Sequence, residues 1–178
     1  MAAVEMLTRE DLDAMPDDGN RYELIEGEIV VSPSPRPRHQ FVSTELLVLL
    51  YAACPDHLRV SQAPFDVVLG EHDVLMPDLL VVDPAGLDDR GMNGPPALVV
   101  EILSPSTRRR DLGQKKRIYE RSGVAAYWVV DVEDDEIALT AWELKDGRFE
   151  AAAAIAGDEE WTATVPFEVT VVPSQLVR

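Results

Sequence analysis

Two carboxylates and one ammonium stand in this chain where the surrounding sequence is apolar. Asp78 lies in Met76-Pro77-Asp78-Leu79-Leu80-Val81-Val82, and Glu101 in Ala97-Leu98-Val99-Val100-Glu101-Ile102-Leu103. Lys115 follows Asp111 by about one helical turn. A charge inside an apolar segment is costly unless a counter-charge or a ligand meets it. Strand alternation puts Glu101 on one face with Ala97, Val99 and Leu103. At about 100° per residue, a helix over 111–122 turns Asp111, Lys115 and Ser122 inward with Leu112, Ile118 and Tyr119. Lys115 then needs an acceptor, either Glu101 or its i−4 neighbour Asp111.

Each of these residues also has a plainer role. Pro-Asp before a strand is ordinary turn chemistry. Glu101 can pair with an arginine near the strand end, and a buried Lys–acid pair can simply hold a helix in place. Buried ion pairs are a poor source of stability, however, and perturbed charges cluster in functional clefts. Two acids at neighbouring strand ends bind Mg2+ or Mn2+ through oxygen and leave positions for water and a phosphate oxygen. A lysine about 4 Å from that phosphate adds about 4 kcal/mol of attraction at an effective dielectric of about 20. Metal-assisted hydrolysis of a phosphodiester needs little more.

The elements that must position these residues are legible as patterns. Thr8 with Glu10 and Asp11 reads as the N-cap and first turn of a helix over 8–14. Residues 22–25 and 28–31 read as a hairpin turning at Glu26-Gly27. Residues 32–37, with three prolines, read as a stiff extended loop. A helix over 39–53 lines one face with Val42, Leu46, Leu49, Leu50 and Ala53. His39 opens that helix on the same side, as a packed or capping residue or as an accessory to the site. Strands are expected at 58–61, 65–69, 79–82, 97–103 and 125–130, with a surface loop at 83–95. Gly123 is the expected stop of the 111–122 helix. A second hairpin, 137–144 with 148–155, turns at Asp146-Gly147. This order is mixed α/β in one domain over 1–178, with a C-terminal β-hairpin extension over 132–178.

Composition narrows the class. The chain has 178 residues and a formal net charge of −17. Its longest purely apolar run, Leu46–Cys54, is too short to span a bilayer. Glu5, Glu10, Asp11 and Asp13 near the start do not read as a secretory leader. A single cysteine, Cys54, gives no intrachain disulfide. A cytoplasmic protein without a membrane partner is the simplest expectation. The net charge argues against indiscriminate nucleic-acid binding. Yet Arg108, Arg109 and Arg110 open a basic strip that continues through Lys115, Lys116, Arg117 and Arg121, and Arg36 with Arg38 forms a smaller patch. Fields between exposed charges fade over about 8 Å at physiological salt. A local strip can therefore still meet a phosphate chain.

Taken in order, several segments carry a resemblance: Tyr22-Glu23-Leu24-Ile25-Glu26-Gly27, Pro77-Asp78-Leu79, Val100-Glu101-Ile102-Leu103-Ser104-Pro105-Ser106-Thr107, Asp111-x-x-x-Lys115 and Gly123-Val124-x-x-Tyr127-Trp128. Together they resemble the Uma2 family of the PD-(D/E)XK nuclease superfamily, a restriction-endonuclease family by description. The likeness runs from about Tyr22 to Asp131. It implies a restriction-endonuclease-like core, with a mixed central sheet flanked by helices. It implies Asp78 as the PD aspartate, Glu101 as the second metal ligand and Glu23 as an early acidic member. By its own position Glu23 is a polar residue on a hairpin strand. The usual lysine two residues after the glutamate is replaced by Leu103, and Lys115 looks like its substitute. A Mg2+-dependent DNA endonuclease is the expected activity, and a catalytically degenerate binding or regulatory module on the same fold is the alternative. A homodimer is expected, because one small lobe offers limited surface to a duplex.

Overall fold

The chain first reverses at Glu26-Gly27, where both residues adopt positive φ, 51° and 78°. Two left-handed residues in succession are what a two-residue hairpin turn requires. A computed structural model describes residues 6–177; Glu5, counted above among the N-terminal acids, lies outside them. The N-terminal half runs α1 (Arg9–Asp13), β1 (Arg21–Ile25), β2 (Glu28–Ser32), α2 (Pro37–Ala53), β3 (Arg59–Gln62), β4 (Asp66–Gly70), β5 (Asp73–Leu75) and β6 (Leu79–Val82). Then come β7 (Leu87–Asp88), β8 (Gly91–Asn93) and β9 (Leu98–Ile102). A π-helical turn (Arg110–Lys115) leads into α3 (Lys116–Ser122). β10 (Ala126–Asp131), β11 (Ala138–Lys145), β12 (Arg148–Ala156), β13 (Trp161–Ala163) and β14 (Val169–Val171) complete the strands.

The fold is α/β. Its central sheet is mixed, in the order β12-β11-β10-β9-β6-β3. β9 and β10 run parallel, while β9 with β6 and β10 with β11 run antiparallel. A parallel pair needs a crossover, and the π-turn with α3 supplies it. Gly123, at φ 88°, ends that helix and returns the chain to β10. All five residues of β9 are buried, as its aliphatic run predicts. Leu98, Val100 and Ile102 pack toward Val42, Leu46 and Leu50 of α2. Val99 packs on the other side with Ile118, Tyr119 and Tyr127. Each fully buried aliphatic or aromatic side chain contributes roughly 1.5–3 kcal/mol. These two layers clamp β9, and Glu101 belongs to the α3 side.

The structure departs from the sequence reading in four places. α2 begins at Pro37, since proline at the first helical position lacks only an N–H that would be unpaired anyway. A second six-stranded sheet, β2-β1-β5-β4-β8-β7, stands beside the central one. It recruits β5, too short to show periodicity, through the pairing Leu24↔Val74. The segment over 83–95 is not a plain loop: β8 pairs parallel to β4, and β7 completes the edge. Leu112 is 40 % exposed instead of inward. The π-turn holds more residues per turn than an α-helix and so breaks the 100° phase at that point. Asp111 and Lys115 nevertheless remain buried.

Candidate active site

The C-terminal end of β9 opens into a cavity of about 320 Å³. Four parts of the chain enclose it. The first hairpin contributes Arg21, Glu23 and Ser32, and the start of α2 contributes Arg36 and His39. Asp78 stands just before β6 and Glu101 within β9. The turn Ser104–Thr107 and the π-turn bring Thr107, Asp111 and Lys115. Asp78, Glu101, Lys115, Glu23, His39 and Asp111 therefore line one space, although they come from four separate stretches of sequence.

Lys115 is the hub. Its Nζ lies 2.8 Å from Glu23 Oε1, 3.0 Å from Glu101 Oε1 and 3.9 Å from Asp111 Oδ1. The sequence left Glu101 and Asp111 as rival partners; the ammonium is nearer Glu101, and Glu23 is nearer still. Tyr119 donates its hydroxyl to the same Glu101 oxygen at 2.8 Å. Glu23 also accepts the Met76 backbone N–H at 2.8 Å, which ties the hairpin to the segment carrying Asp78. Glu23, Glu101, Asp111, Lys115 and Asp78 are each at most 7 % exposed. At that depth, removing one partner leaves an uncompensated charge.

Asp78 is held differently. Its Oδ2 accepts the Ile102 backbone N–H at 2.8 Å and lies 3.1 Å from His39 Nε2. Its Oδ1 faces Arg21 Nη1 at 3.4 Å, and Arg21 Nη2 donates to the Met76 carbonyl at 2.8 Å. Burial alone would raise Asp78, but His39, the Ile102 N–H and Arg21 together bring it below the ordinary carboxylate value. Glu101 behaves oppositely. Burial pushes it well above its ordinary value; Lys115 opposes the shift, and Asp111, Asp78 and Glu23 add to it. Burial likewise raises Asp111, against the pull of Lys115. For Lys115 burial disfavours the charge, but Glu101, Glu23 and Asp111 outweigh it and keep the ammonium protonated.

Four carboxylates thus share the permanent charges of Lys115 and Arg21, and the cavity floor is short of positive charge. Asp111 Oδ1 is buried without a hydrogen-bond partner, and so are His39 Nδ1 and Arg21 Nε. The available donors are hard carboxylate oxygens, the class that suits Mg2+ or Mn2+. Among the described residues, no three His, Cys, Asp or Glu side chains form a ready-made cage. The set fits a cation bound by one or two carboxylates and completed by other oxygens.

The arginines separate into groups. Arg36 lines the cavity but faces Glu133 at 3.8 Å. Arg38 donates to the Asp135 carbonyl at 3.3 Å. Arg108 pairs with Asp131. Arg109 is exposed and Arg110 half-buried, and neither lines the cavity.

The model of the family Uma2, described as "Putative restriction endonuclease", matches residues 9–172. The chain belongs to the Uma2 family. Among solved structures, a nuclease of DUF820 from Anabaena variabilis, described as putative, has a similar fold. Its TM-score is 0.68 at 18% sequence identity, over 90% of this chain and 89% of that one. No curated protein matches the chain. Among the described residues, no helix is long and apolar enough to cross a membrane.

Within this Uma2 fold, sequence reasoning passed over Arg21 and Tyr119. Arg21 precedes the Tyr22–Gly27 motif and carries no local signal, because its target lies 57 residues away. Tyr119 reads as core by periodicity, and its ring is indeed core. Only its hydroxyl reaches Glu101. Ser32 and Thr107 line the cavity from segments that read as loop and turn.

Proposed function

We propose that this cavity is the active centre of a divalent-metal-dependent DNA endonuclease that hydrolyses phosphodiester bonds. The observation that carries the reading is the meeting of Glu23, Glu101 and Asp111 around buried Lys115, in one cavity with Asp78. Asp78 and Glu101 are the residues that would hold Mg2+ or Mn2+. When bound, such a cation supplies Lewis acidity toward a phosphate oxygen. Lys115, fixed by Glu23 and Glu101, keeps an ammonium ready to offset charge developing on phosphate. Asp111 adds a third acidic neighbour that favours that charge. His39 and Arg21 steady Asp78 through contacts at 3.1 and 3.4 Å. Arg36, Arg38, Arg108, Arg109 and Arg110 serve as contacts to the DNA backbone, which position a duplex without reading its sequence.

The protein would act as a homodimer in the cytoplasm. Support for a second copy comes from α2, whose Phe41, Val48 and Tyr51 are 59, 60 and 73 % exposed. The decisive experiment is cleavage of plasmid and oligonucleotides in Mg2+ or Mn2+ by the wild type, Asp78→Asn and Glu101→Gln. Cutting by the wild type and loss in both variants is expected; equal cutting by all three eliminates this centre.

One observation favours a second reading. Leu103 occupies the usual lysine position, and Lys115 is fully engaged by acids. A catalytically degenerate binding module would bind DNA without cutting it and would show no Mn2+-dependent rise in melting temperature.

A further inference from the structure

A second cavity, of about 460 Å³, adjoins the first and shares Arg21, Pro35, His39 and Asp78 with it. Its volume falls within the roughly 300–1,000 Å³ typical of small-ligand pockets. Its remaining lining is different in kind. Asn20 precedes β1, Gln40 and Ser43 lie one turn apart at the start of α2, and Gln62 ends β3. The chain has six asparagine and glutamine residues in all, and three of them line this one cavity. Pro64 and Met76 add apolar surface. Ser43 is buried.

Primary amides carry a donor and an acceptor side by side. Nucleobase edges present the same pairing, and amide side chains read them bidentately. Enzymes that take up an extruded base read its edge by hydrogen bonds while apolar side chains cover its faces. Here the amides supply the hydrogen-bonding groups, and Pro35, Pro64 and Met76 supply the faces. Asn20 Nδ2 gives one N–H to Asp18 Oδ2 at 3.0 Å, which leaves its second N–H and its carbonyl for a ligand. The shared wall of Arg21 and His39 joins the two cavities. A nucleotide lying across it sets phosphate on one side and base on the other.

We propose that the second cavity is a nucleobase pocket, taking one unpaired base next to the phosphodiester held in the first cavity. The proposal rests on the phosphodiester reading of that cavity. It makes the preferred substrate single-stranded, frayed or base-extruded DNA.

The test reads binding separately from cutting. Wild type and Gln40→Ala/Gln62→Ala, whose substituted side chains are both exposed, are titrated with AMP, CMP, GMP, UMP and ribose 5-phosphate by NMR. Melting curves confirm that the variant is folded. At least one nucleotide is expected to bind wild type fivefold or more tightly than ribose 5-phosphate, with the advantage below twofold in the variant. Equal binding of nucleotide and sugar phosphate, binding of neither, or an advantage kept in the variant overturns the pocket. DNA cleavage by wild type alongside any of those results leaves the hydrolase reading standing and removes only the pocket. A base-dependent advantage without cleavage of any nucleic acid keeps the pocket and removes the hydrolase reading.

Discussion

Lys115 reaches Glu101 from the helix that follows it, with Nζ 3.0 Å from Oε1 across a separation of 14 residues. The position two residues after Glu101 belongs instead to Leu103, which packs with Val99 and Ile118. The same strand face therefore carries a carboxylate and then a core residue, and the ammonium arrives from a neighbouring element. The first expected consequence concerns this pair. Lys115→Met leaves Glu23, Glu101 and Asp111 without their shared counter-charge. Unfolding in urea at pH 7 is expected to show a loss of about 3–5 kcal/mol. Adding Glu23→Gln to the variant should recover part of it. A single variant as stable as wild type would mean that the carboxylates do not depend on the ammonium.

Divalent cations should stabilise the fold through the same acids. Mn2+ at millimolar concentration is expected to raise the wild-type melting temperature, since a ligand that binds only the folded state stabilises it. Glu101→Gln in EDTA sets the metal-free baseline for the comparison. In that variant the rise with Mn2+ should vanish. An undiminished rise would place the cation elsewhere.

The pH dependence has a defined sign. Glu101 and Asp111 are raised in the folded state, so the folded protein binds more protons than the unfolded chain. Their favourable contribution is complete below the unfolded carboxylate value, about 4, and is lost as pH rises through the raised folded values. Asp78 is lowered, so its contribution is present above about 4 and is lost as pH falls through its folded value. In EDTA, wild-type stability should decline as pH rises above the unfolded carboxylate value, and the decline should be shallower in Glu101→Gln. Parallel slopes would assign the trend to the general repulsion of a chain carrying −17.

The acidic stretch from Asp131 to Asp135 engages three of the arginines proposed to meet DNA, two of them through side-chain carboxylates. Arg36 faces Glu133, and Arg108 faces Asp131. Asp131→Asn/Glu133→Gln should release both and tighten binding of a fluorescent DNA duplex about three- to tenfold at low salt. The gain should fade at 0.5 M salt, where screening is short-ranged. No change at low salt would show that these arginines stay clear of the duplex.

Association should depend on α2. Val48→Glu puts a charge in the middle of the exposed stripe formed with Phe41 and Tyr51. Light scattering should then report a dimer for wild type and a monomer for the variant. A monomeric wild type would dispose of the dimer directly.

The sequence by itself determined what local physics controls. Glu26-Gly27 and Asp146-Gly147 announced their turns, Gly123 its helix end, and the aliphatic run around Glu101 its doubly buried strand, because each depends on backbone freedom or periodicity over a few residues. The motif series also carried the family. Tertiary structure alone decided the partnerships. Glu23 meets Lys115 from a hairpin far upstream in the chain, and Arg21 reaches Asp78 across 57 residues. β5 and β8 exist because the first hairpin and β4 supply their hydrogen bonds, and β7 because β8 does; strands of two or three residues have no periodicity of their own. Long-range pairing depends on which surfaces the folded chain brings together, and no window of sequence contains both sides of such a contact.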